Sequence, residues 1–183
     1  MSVVNILMVV DTAKLVHDKA SLIPNSSFAS PIGLGNGSSY IYMVADYRFV
    51  VGANAISELK IQLHSEDIIR WRVDAIDKGQ SLSPLFVEFE TNYDTGINPA
   101  DFLSPFPPQF VKSHINVYEP NSVTDLDGPS SKVTFPDYYF ETTAISAPTG
   151  DTTVTYQWKF KLIDQDGIVQ GYFQWDPFIV ILQ

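Results

Sequence analysis

The sequence contains no cysteine, which removes disulfides, thiolate nucleophiles and Cys-ligated metals from consideration. Basic residues are scarce: 11 Lys and Arg stand against 21 Asp and Glu, for a formal net charge of −10. With no basic cluster, the chain is poorly equipped to replace counterions along a phosphate backbone, and an anionic membrane surface would repel it. Binding to nucleic acid or to a membrane is therefore set aside. Charge of either sign is low, at 17% of residues against the usual quarter. No apolar run approaches the ~20 residues of a helical membrane span. Residues 1–11 lack a basic segment and a following cleavage site, and carry Asn5 inside the apolar run. They read as a strand rather than a signal peptide, and the expected location is cytoplasmic.

What is present is a chain rich in rings. Aromatics reach 13% of 183 residues, a composition that suits pleated, half-buried surfaces better than exposed helices. The length fits one domain over residues 1–183. Alternation with a period of two dominates. Within 153–163, Val154, Tyr156, Trp158, Phe160 and Leu162 point one way, while Thr155, Gln157, Lys159 and Lys161 point the other. Asp166-Gly167 supplies a hairpin turn, after which 168–175 returns as the partner strand and 178–182 as the last. Further strands are expected at 3–10, 40–45, 59–64, 68–75, 86–91, 115–118 and 138–144. Segment 3–10 is apolar on both faces, as for a central strand covered on each side. The expected fold is an all-β, antiparallel, jelly-roll-like β-sandwich of about nine or ten strands. Two long connections remain, 13–39 and 95–112, the second rich in Pro and Phe.

Signs of chemistry are few. Gly33-Leu34-Gly35-Asn36-Gly37 leads into a strand rather than a helix, so it lacks the helix N-terminal amides of a phosphate loop. His17, His64 and His114 lie far apart in sequence, and there is no G-x-S-x-G nucleophile elbow. Asp125-Leu126-Asp127-Gly128 and Asp164-Gln165-Asp166-Gly167 could offer oxygens to calcium, but turn chemistry accounts for both. Glu88 and Glu90 share one strand face and read as solvated. No catalytic residue, metal site or cofactor is assigned. The residues singled out as partner or ligand contacts are Phe102, Phe106, Phe110, Tyr138 and Tyr139, rings at or near loops, with the acidic pair Asp125 and Asp127.

Several segments together resemble the PixA/AidA family of bacterial inclusion-body proteins. They are Asn5-Ile6-Leu7-Met8-Val9-Val10-Asp11-Thr12, Tyr40-Ile41-Tyr42-Met43-Val44-Ala45, Asp67-Ile68-Ile69-Arg70-Trp71-Arg72 and, most specifically, Gly171-Tyr172-Phe173-Gln174-Trp175-Asp176-Pro177. The resemblance implies a jelly-roll-like sandwich from a Gram-negative bacterium. It implies a non-enzymatic protein that accumulates in cytoplasmic inclusions or is produced under quorum-sensing control in a host-associated species. No catalytic residues come with the family. Three methionines do not suit an amino-acid store. The function expected is self-association into a homodimer or larger assembly, with a sugar- or calcium-binding module as the alternative.

Overall fold

The computed structural model describes residues 1–35, 39–91, 98–121, 127–145 and 152–181. Alternating side chains produce the expected all-β sandwich. In chain order the strands are β1 (Val3–Val10), β2 (Ile32–Gly33), β3 (Ile41–Ala45), β4 (Gln62–Leu63), β5 (Ile68–Ala75), β6 (Leu82–Thr91), β7 (Leu103–Pro120), β8 (Ser130–Ala144), β9 (Thr152–Asp164), β10 (Val169–Trp175) and β11 (Phe178–Ile181). One sheet runs in the order β3-β1-β5-β8-β7. The other runs β2-β10-β9-β11-β4, with β6 paired along β9 as well.

Both sheets are mixed, where the sequence reading expects antiparallel pairing throughout. β1 runs parallel to β5 over its whole length, from Val3↔Ile68 to Val10↔Ala75. β2 pairs parallel with β10, and β4 parallel with β11. Alternation reports which face a side chain occupies and carries no information on strand direction, so the pattern could not separate the two cases. β1 also differs from its expected burial. Val4, Ile6, Met8 and Val10 are buried, while Val3, Asn5 and Leu7 are exposed. Its second apolar face is open.

The connection 13–39 contains a helix that the strand-dominated pattern concealed. In α1 (Thr12–Lys19) the Asp11 carboxylate accepts from the Lys14 N–H at 3.0 Å, an N-cap, and Thr12 and Leu15 are buried. The second connection is mostly strand. Pro105, Pro107 and Pro108 argue against a ladder, yet β7 is an edge strand, where missing donors are tolerated. Its pairing with β8 shifts register between Ser104 and Gln109, which carries the chain past all three prolines. Pairing then continues without interruption from Gln109↔Glu141 to Pro120↔Ser130.

The sheets meet through rings. Trp71 of β5 is fully buried, with ring centroids 5.6 Å from Phe89, 5.7 Å from Tyr156 and 5.8 Å from Trp158. Its Nε1–H donates to the Tyr156 hydroxyl at 3.1 Å, the polar link between the layers at this point. Burial pushes the Tyr156 hydroxyl pKa up, with the Trp71 bond acting the other way, so it stays a neutral acceptor. Gly171 sits at a bulge between Val169 and Gly171, where an added Cβ would lie 3.1 Å from the Phe173 ring. That is the close packing expected of glycine there.

Removing the hydroxyl in Tyr156→Phe strands the buried indole N–H. A loss of ~1–3 kcal/mol is expected from urea unfolding, with the m-value unchanged. A loss below a few tenths would show that this bond does not help to hold the layers together.

Candidate interaction surface

The site follows from where β8 stops being part of the sheet. β8 pairs with β5 only from Ile68↔Thr143 to Trp71↔Phe140, while its pairing with β7 continues to Pro120↔Ser130. Beyond Phe140 the two strands run on as a ribbon with no third strand among the described residues. On one face Val111, Ser113, Ile115, Val117 and Glu119 lie opposite Tyr139, Asp137, Phe135, Val133 and Ser131. On the other, Lys112, His114, Asn116 and Tyr118 lie opposite Tyr138, Pro136, Thr134 and Lys132. The ribbon is therefore amphipathic, with one mainly apolar face and one mainly polar face. The apolar side is uncovered: Ile115, Val117 and Phe135 are 44%, 38% and 42% exposed.

That apolar face continues the outer face of the sheet. Because Trp71 points inward, Arg70 and Arg72 point outward. Both guanidinium groups lie over the Tyr139 ring, at 4.9 and 4.6 Å. Arg70 donates to Glu141 at 2.6 Å, and Arg72 to both carboxylate oxygens of Asp137 at 2.9 and 2.6 Å. The Arg72 hydrogen bond holds the Asp137 carboxyl below the usual carboxylate range, against the opposing effect of partial burial. Arg72 faces Leu7 across β1, and Leu7 faces Val44 across β3. Leu7, Tyr42 and Val44 are each 37% exposed. Where β8 leaves β5, a cleft of about 480 Å³ opens, lined among others by Leu7, Arg72, Leu85, Phe110, Ile115 and Tyr138.

The rings singled out from sequence fall into two groups. Phe102 and Phe106 are half-buried against the core, Phe106 edge-on to Phe89 at 5.5 Å. Phe110 and Tyr138 stack in parallel at 6.0 Å and remain about half exposed, at the cleft. Tyr139 is buried beneath the two arginines. Asp125 lies outside the described residues. Asp127 is exposed in the β7–β8 turn, beyond the Pro120↔Ser130 pair. Eight strand residues separate Ser130 from Tyr138, about 26 Å at ~3.3 Å each, so Asp127 does not converge with the rings. The strand expected at 115–118 lies within β7, but 133 and 135 were assigned to no element, so the alignment of Ile115 and Val117 with Val133 and Phe135 escaped notice. The prolines upstream made only 95–112 read as a connection.

Other candidate groups have local partners. Glu88 and Glu90 are not merely solvated: each accepts from Lys159 Nζ at 2.8 Å across the sheet. Asp164 accepts from the N–H groups of Asp166 and Ile168 and from Gln170, as a turn residue would. Among the described residues no group of three or more His, Asp or Glu could hold a metal ion. Among them, too, no helix is long and apolar enough to cross a membrane.

These observations define a class: a two-layer mixed β-sandwich whose most distinctive surface is an apolar sheet face prolonged by a ribbon. The chain belongs to the PixA family of inclusion body proteins, whose family model matches residues 2–181. A solved inclusion body protein of that family, from Burkholderia cenocepacia J2315, shares the fold at a TM-score of 0.67 and 19% identity. The match covers 98% of this chain and 95% of that one. No curated protein matches the chain in sequence.

The Arg72–Asp137 pair holds the root of the ribbon, and its pH dependence has a definite sign. Asp137 has a folded pKa below its ordinary 3.8, so its contribution is present above that value and lost as pH falls through the folded pKa. Acid unfolding below about pH 4 should be shallower in Asp137→Asn than in the wild type. At neutral pH Arg72→Met should cost ~2–4 kcal/mol by leaving a buried carboxylate without its partner. Identical acid profiles would remove the pair as the ribbon's anchor.

Proposed function

We propose that the chain is a non-enzymatic, self-associating protein that accumulates in ordered cytoplasmic inclusions. The single observation that carries this reading is the amphipathic ribbon, whose apolar face stands outside the sandwich. Two-stranded ribbons are marginal in water without a covered face, so this one gains stability on association. Family membership supports the same reading, because the family is described as inclusion body proteins. Production under quorum-sensing control in a host-associated species belongs to this reading through the family resemblance alone.

A second reading has one observation in its favour. The Phe110–Tyr138 pair beside Arg72 and Asp137 offers stacking rings and polar groups in one cleft, as a sugar site would. Thermal shift with a panel of sugars and calcium separates the two readings. A ligand at a hundred times its dissociation constant would add ~2.7 kcal/mol, a rise of several degrees, whereas the leading reading expects a flat response.

Sedimentation velocity from low micromolar to near-millimolar concentration tests the leading reading. The expected result is a species of at least twice 20.4 kDa that grows with concentration. A single 20.4 kDa species throughout would overturn it.

A further inference from the structure

We infer that the outer face of the five-stranded sheet, together with the apolar face of the β7–β8 ribbon, is covered by the same face of a second copy related by a two-fold axis. This rests on the self-association reading and gives it a surface, a partner and a symmetry.

The sequence builds the face for contact rather than for water. An outward-facing sheet surface ordinarily alternates to polar residues, yet Val3, Leu7, Tyr42 and Val44 are exposed on this one. Ile115, Val117 and Phe135 extend the same side along the ribbon. Ser113, Glu119, Ser131 and Asp137 share this side, while Lys112, His114, Asn116, Lys132 and Thr134 lie on the other, where Thr134 donates to Asn116 at 3.1 Å. A shallow depression bounded by Asn5, Leu7, Val44 and Arg72 lies on this surface, and the cleft at the ribbon root adjoins it. Such relief can receive projecting side chains.

Charge points to a second copy. A chain at −10 repels its own kind, so two copies approach best where charge is balanced locally. Here Arg70 and Arg72 are answered by Glu141 and Asp137, each pair at 2.6 Å. A two-fold axis brings each residue i against j and each j against i. A face carrying adjacent arginines and carboxylates is then complementary to itself, because each arginine can also approach the partner copy's carboxylate.

Size agrees. Five strands ~4.8 Å apart and eight residues at ~3.3 Å each give a face of about 24 by 26 Å, before the ribbon is added. With the ribbon, this reaches the ~800 Å² per partner of a standard interface.

Two double variants test the surface: Ile115→Glu with Phe135→Glu on the ribbon, and Leu7→Glu with Val44→Glu on the sheet. Each site is solvent-exposed in the single chain, so the near-ultraviolet signal of the buried tryptophans should stay native. Each pair should weaken dimerisation roughly 100-fold or more in sedimentation equilibrium, as loss of central apolar anchors does. Ile168→Glu, at an exposed turn on the other sheet, should leave it unchanged. Should the ribbon pair unfold, the sheet pair decides alone. Natively folded variants that dimerise like the wild type would overturn this surface while leaving self-association intact. A wild-type chain that stays monomeric throughout would overturn both.

Discussion

Trp71 occupies the point where the two sheets meet, and much of the molecule is arranged by its burial. Its ring touches Phe89, Tyr156 and Trp158 of the opposite layer, and its N–H is satisfied by Tyr156. Strand alternation then leaves Arg70 and Arg72 no choice but the outer face. There they cover Tyr139 and pair with Glu141 and Asp137, holding β8 at the place where it departs from β5. One strand thus joins the layers with one side and anchors the ribbon with the other. The core and the candidate surface share a cause.

The ribbon poses a physical question that the rest of the sandwich does not. Most strands have one face packed on the core, and buried and exposed side chains alternate along them accordingly. In β7 beyond Val111 only Ser113 is even partly buried, and the rest of the stretch is exposed. Its residues nevertheless alternate between apolar and polar. An amphipathic pattern costs nothing in a disordered loop, but in a regular ribbon it aligns Val111, Ile115 and Val117 with Val133 and Phe135 on one side. Covering such a surface stabilises by ~25 cal/mol per Å² removed from water. Among the described residues of a single chain, no element is positioned to collect that contribution.

Much of this was legible in the sequence, and for identifiable reasons. The stripe Val154, Tyr156, Trp158, Phe160 and Leu162 is wholly buried in β9 as its alternation implied, and Asp164 makes the turn that follows. Gly171 beside Phe173 is the close approach expected of it. Parallel pairing of β1 with β5 was hidden, because alternation does not encode direction. α1 was hidden because its eight residues bury only Thr12 and Leu15, too little for a clear stripe. The strand expected at 115–118 lies within β7, but its start at Leu103 was hidden by Pro105, Pro107 and Pro108, whose edge position and register shift only the sheet order reveals. On the outer face, Tyr139 was within reach as a ring near a loop, whereas Phe110 and Tyr138 stack on the other side of the ribbon. The aliphatic residues beside Tyr139 were not within reach, because single exposed aliphatics are ordinary until a ladder aligns them.

Hydrogen–deuterium exchange of the ribbon amides as a function of protein concentration is the most direct measurement. In a lone chain the ladder from Ile115↔Phe135 outward has no further strand beside it among the described residues and should open readily. The account predicts that these amides exchange rapidly in dilute solution and become protected as concentration rises, while β9 amides stay protected at every concentration. Ribbon amides that exchange at one rate throughout, in step with neither concentration nor assembly, would contradict it.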